Sequence, residues 1–407
     1  MSRSALPSTA TLGESSRPRA SPVPKKDDDA HRQKILVLGW RKAGKTSCIK
    51  TVFQQVPAKE VPYFGVTQKI EKINYDSIVP LQIWDTPSNF ELDQLDVPVS
   101  SFSTIVYVLD MQQDDSYHES ILRFVHIMVR AYLSHPGMRF HMFIHKSEVL
   151  SEDYRGENYA EIQRATSEEI EDFPYKTLSG VGIGTGSLDL EDPGTTSMII
   201  NQLISEIRFS MTSVHDVTLR DAWSRVLQGG MEMLPAVESL LLDFTSHSSA
   251  DNTFLFDINS GIILATDNRH RTDELSEQVT EYLKSFLQFR ELYKNIRQLK
   301  STSDGPNASA DQKQADGGAG DDGEEDEVDG SEDGGATGWW DDEDPDAPWM
   351  TQSTRLLPTT TLALWQFTPF LALVVLLRTE TWQARRGTIE YNLTFLRQGV
   401  REILSVV

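Results

Sequence analysis

Cysteine is almost absent: one residue, Cys48, in 407. That excludes an intrachain disulfide framework, a cysteine-based zinc site and an iron-sulfur cluster, and it fits a reducing compartment. Basic charge is scarce as well, with 38 Lys and Arg against 61 Asp and Glu and a formal net charge of -23. Such a balance argues against nucleic acid or an anionic membrane as partner, because both polyanions are repelled unless a local basic face compensates. A long apolar run is also missing. The most apolar stretch, Leu362 to Leu377, is 16 residues broken by Gln366, Thr368 and Pro369. It falls short of the roughly 20 residues a spanning helix needs and reads as two buried strands. No apolar signal segment opens the chain, Ser2 stands where myristoylation needs glycine, and Leu404 to Val407 hold no cysteine for prenylation. Direct membrane insertion is therefore not expected.

What is present is unevenly distributed. The length of 407 residues suggests two or three domains. Residues 301 to 350 hold 17 Asp or Glu against the single Lys313, a local charge of about -16 that leaves only about -7 for the remaining 357 residues. Rich in Gly, Ser and Ala, this stretch cannot bury enough apolar area to offset ordering, so 300–349 reads as an acidic disordered insert. Within it, Trp339-Trp340 followed by Asp341, Asp342, Glu343 and Asp344 is either a short docking element or more of the same solvated loop. The Ser/Pro-rich stretch 1–33 reads as a flexible arm.

The chemistry begins at Lys34. Lys34 to Leu38 is a short buried-strand pattern running into Gly39-Trp40-Arg41-Lys42-Ala43-Gly44-Lys45-Thr46, a complete G-x-x-x-x-G-K-[ST] match. The glycines let backbone N–H groups and the start of the next helix face phosphates. Lys45 should reach the β and γ phosphates, and the Thr46 hydroxyl should ligate Mg2+. Ser47 and Cys48 begin the helix, Cys48 as a small buried residue. A second strand, Leu81 to Asp85, ends in the carboxylate such a metal site needs. Thr67, in the loop Tyr63 to Gln68, is either the third metal group or an ordinary loop threonine. Thr104 to Asp110 and Arg139 to His145 read as further strands around a helix from Tyr117 to Leu133, an alternation of β and α. After the last of these strands, Glu148 could accept the N1–H and N2–H of guanine while the Lys146 stem lies along the base. His145 by itself reads equally as a capped strand-end residue.

The combination resembles a Rag-type small GTPase of the RagC/RagD branch, in a fungal-type version. The resemblance rests on Gly39 to Ser47, Trp84-Asp85-Thr86-Pro87, Phe143-Ile144-His145-Lys146, Met211 to Asp216, Phe254 to Asp257, and Arg386 to Asn392. It implies an α/β chain with a P-loop small-GTPase domain over 34–230, built on a mixed, mostly parallel sheet. A roadblock-type α/β dimerisation domain over 231–299 plus 350–407 would follow. Thr212, Ser213 and Val214 are expected to close over guanine, and Gly39, Arg41, Lys42, Ala43 and Gly44 to wrap GTP or GDP. The implied partners are a RagA/RagB-type GTPase, a vacuolar or lysosomal scaffold complex and TOR complex 1. The implied role is relay of amino-acid sufficiency from the cytoplasmic face of that organelle.

The second half reads compatibly from its residues. Leu234, Val237, Leu240, Leu241 and Phe244 make one helical face, and Leu275, Val279, Leu283 and Phe286 another. Phe254 to Thr266 forms a strand pair about Asn259-Ser260-Gly261, and Ile389, Leu393, Leu396, Val400 and Ile403 mark a last helix. The stretch 175–204, with glycines at 180, 182, 184 and 186, reads as a flexible insertion, since no strand precedes it as a phosphate loop would require.

Departures from the family pattern limit the expected activity. Ser88 stands where a glycine N–H would close onto the γ phosphate, and its Cβ restricts close approach. Asn89 occupies the place of the catalytic, water-orienting glutamine, one methylene short. Glu148 replaces the guanine-reading aspartate. Slow hydrolysis is expected, and a pseudo-GTPase dimerisation scaffold is the alternative. A P-loop ATPase or kinase would need a lid or acceptor site that the sequence does not offer.

Overall fold

The computed structural model describes residues 32–112, 117–175, 192–270, 272–301, 351–357, 359–368 and 370–405. The arm before residue 32, the glycine run at 180–186 and the acidic residues 302–350 with Trp339 to Asp344 lie outside them.

Two sheets carry the fold. The first has six strands in the order β2-β3-β1-β4-β5-β6: β1 (Gln33–Gly39), β2 (Glu71–Tyr75), β3 (Leu81–Asp85), β4 (Phe102–Asp110), β5 (Arg139–His145) and β6 (Ile207–Thr212). All neighbouring pairs are parallel except the edge pair of β2 with β3. Strands covered on both faces are apolar throughout, and Ile35, Leu36, Val37 and Leu38 are indeed all buried. Helices α1 (Lys45–Phe53) and α5 (Thr218–Gly229) cover one face. Helices α2 (Tyr117–Ser134), α3 (Glu152–Glu171) and α4 (Pro193–Glu206) cover the other. The chain leaves β1 for β3 on one side and later returns to β4 on the other. The crevice outside the carboxyl ends of those strands is where such sheets bind ligands.

The second sheet is antiparallel, in the order β8-β7-β11-β10-β9, from β7 (Asn252–Asp257), β8 (Ile263–Thr266), β9 (Thr351–Leu357), β10 (Thr360–Gln366) and β11 (Leu371–Arg378). Period-two alternation divides its faces. Leu255, Ala363, Trp365, Leu373 and Val375 meet α6 (Leu234–Ser248) and α8 (Thr379–Ser405). Phe254, Phe256, Leu362, Leu364 and Val374 meet α7 (Asp273–Ser301). One core runs without a break from α1 and α5 into this sheet. The mixed, mostly parallel first sheet and the helix-flanked antiparallel second one match the P-loop GTPase and roadblock-type architecture that the sequence implied.

One expectation is corrected. Residues 193–204, assigned to a flexible insertion, lie in α4. Asp192 caps that helix by accepting from Thr195 N–H at 2.9 Å, and Pro193 opens it. Ile199 and Leu203, one turn apart, are buried against the core, an apolar spacing that the glycine-rich residues before it obscured. Strand β9 is an addition. Its Thr, Gln, Ser and Arg residues show no apolar period, and it is placed by ladder pairing to β10.

Candidate functional site

The first turn after β1 is shaped by two glycines. Gly39 has φ +148, and a Cβ there would lie 2.2 Å from the Val108 carbonyl oxygen of β4, so only glycine lets the strands approach. Gly44 has φ +101, and its missing side chain leaves room for the His145 ring. Between them, Arg41 and Lys42 are exposed while Ala43 is fully buried. Lys45 is buried under the loop and donates from Nζ to the carbonyls of Gly39 at 2.9 Å and Trp40 at 3.2 Å. Burial pushes the Lys45 ammonium down to about 8, partly offset by the charge of Asp85.

At one end of the crevice, three oxygen-bearing side chains meet. Thr46 Oγ1 donates to Asp85 Oδ2 at 2.6 Å, Thr67 Oγ1 donates to the same oxygen at 3.1 Å, and the two hydroxyls are 2.9 Å apart. The other carboxylate oxygen, Asp85 Oδ1, is buried and has no partner. Burial, more than anything else, raises this carboxyl above its ordinary value. An anionic oxygen left without a donor, beside two hydroxyls, suits a hard cation such as Mg2+. Among the described residues no group of three or more His, Cys, Asp or Glu converges into a metal site, and this cluster offers one carboxylate and two hydroxyls.

At the other end, β5 delivers His145, Lys146 and, one turn on, Glu148. His145 is 2% exposed, its Nδ1 is 3.0 Å from Thr212 Oγ1, and burial pushes its pKa down to about 4, so the ring is neutral at physiological pH. Lys146 takes a left-handed backbone (φ 64) and its Nζ reaches Asp110 Oδ2 at 2.5 Å. Glu148 stands at the mouth, its Oε1 3.9 Å from His215 Nε2.

A cavity of about 380 Å³ joins the two ends. Arg41, Lys42, Gly44, Lys45, Thr46, Ser47, Thr67, His145, Lys146, Glu148 and Val214 line it, as do Thr86 and Ser88. Other expected residues do not reach it. Ser213 is buried behind the wall, where its Oγ accepts from His215 N–H at 3.0 Å. Asn89 is exposed and away from the cavity, so nothing in this arrangement aims it at a phosphate. Sequence reasoning missed Asp110, His215 and Arg123. Arg123 projects from α2 to donate to the carbonyls of Ser88 and Phe90. Asp110 closes a strand already read as buried and His215 lies within the run Met211 to Asp216, which were the available signals; nothing local marked Arg123.

A glycine-shaped phosphate loop, a buried lysine, a hydroxyl and carboxylate cluster, and a base-sized mouth on this sheet define a P-loop nucleotide-binding protein of the small G-protein kind. The particular family follows from comparison with known proteins. Residues 34–287 match the Gtr1/RagA G protein conserved region, and the chain belongs to that family. It is 29% identical over 388 residues to human Ras-related GTP-binding protein C, covering 93% of this chain and 78% of that one. It is 24% identical over 378 residues to GTP-binding protein gtr2 of Schizosaccharomyces pombe, covering 92% and 98%. Against GTP-binding protein gtr1 of the same yeast the identity is 24% over only 268 residues, 62% of this chain and 76% of that one.

Proposed function

We propose that this chain is a guanine-nucleotide-controlled switch, one half of a Rag-type heterodimer that relays amino-acid sufficiency to TOR complex 1. The observation that carries the reading is the meeting of Thr46, Thr67 and Asp85 beside Lys45 at the phosphate end of a cavity whose far end holds Lys146 and Glu148. In this reading the backbone from Gly39 to Ser47 cradles the phosphates and Lys45 neutralises them. Thr46, Thr67 and Asp85 would hold Mg2+, which would supply positive charge to offset that of the phosphates. His145, packed against Gly44, keeps the loop and the base mouth in register. Lys146, Glu148 and Val214 form the base site, with Asp110 anchoring the Lys146 head and Ser213 supporting the wall from behind.

The division of labour is 34–230 for nucleotide and 231–299 plus 350–407 for dimerisation with a RagA/RagB-type GTPase. A scaffold complex on the vacuolar or lysosomal surface would supply the membrane address, since among the described residues no helix is long and apolar enough to cross a membrane. Hydrolysis should be slow. Ser88 lines the cavity in place of glycine, and Asn89 is exposed and not among its lining residues. Those two positions favour a second reading, a pseudo-GTPase dimerisation scaffold that binds nucleotide without turning it over.

The test is nucleotide content and affinity of the chain co-expressed with its RagA-type partner, using GTP, GDP and ATP, with Lys45→Ala as control. Guanine-selective, Mg2+-dependent binding lost in the control is expected, after which turnover separates switch from pseudo-enzyme. No binding with the heterodimer intact would end the switch reading.

A further inference from the structure

We propose that Arg123 is a positioning residue that straps the Ser88 to Phe90 turn to α2. That turn would then stay ordered whether the bound nucleotide carries two phosphates or three. The proposal takes the nucleotide-switch reading as its setting and specifies which loop carries the signal. Arg123 is half-buried on the crevice side of α2, and its two terminal nitrogens donate separately, Nη1 to the Ser88 carbonyl and Nη2 to the Phe90 carbonyl. A planar guanidinium is the side chain suited to hold two carbonyls two residues apart, since its donors are fixed in a fork. Its centre also lies 5.8 Å from the centroid of Trp40, inside the phosphate loop, within cation–π range. One side chain thus ties the phosphate loop, α2 and the turn after β3 together.

The turn is held at both ends as well. Thr86 Oγ1 donates to the Val37 carbonyl at 2.8 Å, and Phe90 is 1% exposed in the core under α2. Ser88, whose Cβ restricts closure onto a third phosphate, sits between these anchors. The third phosphate therefore has little ordering left to add here. The loop carrying Thr67 is different. Its neighbours Tyr63 and Val66 are 87% and 54% exposed, and among the described residues the Thr67 side chain is held by hydroxyl bonds to Thr46 and Asp85. Nucleotide-dependent order is expected in 61–70 and not in 86–92.

Amide hydrogen exchange of the full chain, purified with its RagA-type partner and loaded with GDP or GTPγS in Mg2+, reads this directly. For the unmodified chain, exchange in 86–92 should agree within about twofold between the two states, while 61–70 slows about tenfold in GTPγS. Arg123→Ala should speed 86–92 about tenfold or more in both states, one decade being what a single charge-assisted hydrogen bond contributes. Arg123→Lys keeps the charge but cannot span both carbonyls, so it should behave like the alanine variant. Unchanged far-UV circular dichroism and β6 exchange would establish that either variant folds. A tenfold slowing of 86–92 by GTPγS in the unmodified chain, or no change there in either variant, would overturn the proposal. A chain that binds no nucleotide would end the switch reading instead, and the strap would still stand or fall on 86–92 in the variants.

Discussion

Replacing Gly44 by alanine probes the contact on which the phosphate loop rests. With φ at +101, Gly44 occupies backbone space that costs a residue with a Cβ about 1 to 2 kcal/mol. The new methyl would also fall 2.5 Å from His145 Cδ2 and 2.9 Å from its Nε2, where ordinary contacts begin near 3.4 Å. His145 cannot swing aside, because it is buried and tied through Nδ1 to Thr212, and overpacking of this kind adds about 1 to 3 kcal/mol. Gly44→Ala is therefore expected to cost about 2 to 5 kcal/mol. The cost is readable as a shift in urea midpoint followed through the fully buried Trp84 and Trp223 at saturating GDP. The decisive arm is the same substitution in a His145→Ala background. With the ring gone, the penalty should fall to the backbone share of about 1 to 2 kcal/mol, a coupling that only touching residues display. Equal penalties in both backgrounds would refute the reasoning, since the ring would then not be what the methyl meets.

Three further outcomes follow from the same site. Asp85→Asn removes a charge that burial disfavours while keeping an acceptor for Thr46. Its metal-free thermal midpoint should rise by about 2 to 4 °C even as Mg2+ ceases to strengthen GDP binding, and a fall in that midpoint would contradict the account of Asp85 Oδ1. Lys45, pushed down from 10.5 to about 8, binds phosphate as the ammonium, so GDP affinity should hold below pH 8 and fall by up to about tenfold per unit above it. The fold itself gains stability across that same window, because the unfolded chain keeps the proton that the folded chain has shed. A flat affinity from pH 7 to pH 9.5, tested by calorimetry, would sink the assignment. Glu148→Asp should shift the GTP-to-ATP affinity ratio upward by roughly fivefold, the worth of one better-placed hydrogen bond, and an unchanged ratio in competition titrations would remove Glu148 from the base site.

The residues proposed for phosphate and metal were legible as candidates because they lie in local patterns. A strand, a glycine-bounded turn and a helix start are contiguous from Lys34 to Cys48, and Asp85 ends a strand whose apolar pattern stops with it. Thr67 was placed by loop position alone, and the fold brings it to Asp85 across 18 residues. What stayed hidden depends on distance in sequence. Arg123 meets carbonyls 33 and 35 residues away, and its helix offers only an ordinary amphipathic pattern. Asn89 stands where the resemblance expects the catalytic glutamine, yet it is not among the residues lining the cavity, which residue identity does not encode. In the second sheet, β7, β10 and β11 announced themselves by apolar runs, whereas β9 is polar and exists because β10 offers it an edge. Helix α4 was missed for the opposite reason: its cap and its two buried residues were readable, but the glycines before it dominated the reading.

Asp257 argues for one last expectation, because it joins the two sheets through β2, the strand whose other end pairs with Asp85. It is 1% exposed at the end of β7 and accepts from four donors: the Tyr75 hydroxyl of β2, Ser77 Oγ at 2.8 Å, and Ser260 N–H and Oγ at 2.8 and 2.6 Å. Hydroxyls and an amide, not a cation, satisfy it, so an alanine here would leave those donors buried without an acceptor, at about 1 to 3 kcal/mol for each that water cannot reach. Asp257→Asn keeps the shape but turns one acceptor into a donor facing donors, and it should cost nearly as much. Tyr75 is only eight residues beyond Thr67, along a short edge strand paired on one side alone. Loosening Asp257 should therefore speed amide exchange in β2 and weaken Mg2+-dependent GDP binding by a few-fold, although no atom of Asp257 touches the cavity. If Asp257→Asn lowered the unfolding midpoint while leaving β2 exchange and GDP affinity unchanged, the joint would be a matter of stability alone, and the metal cluster would be positioned entirely from within the first sheet.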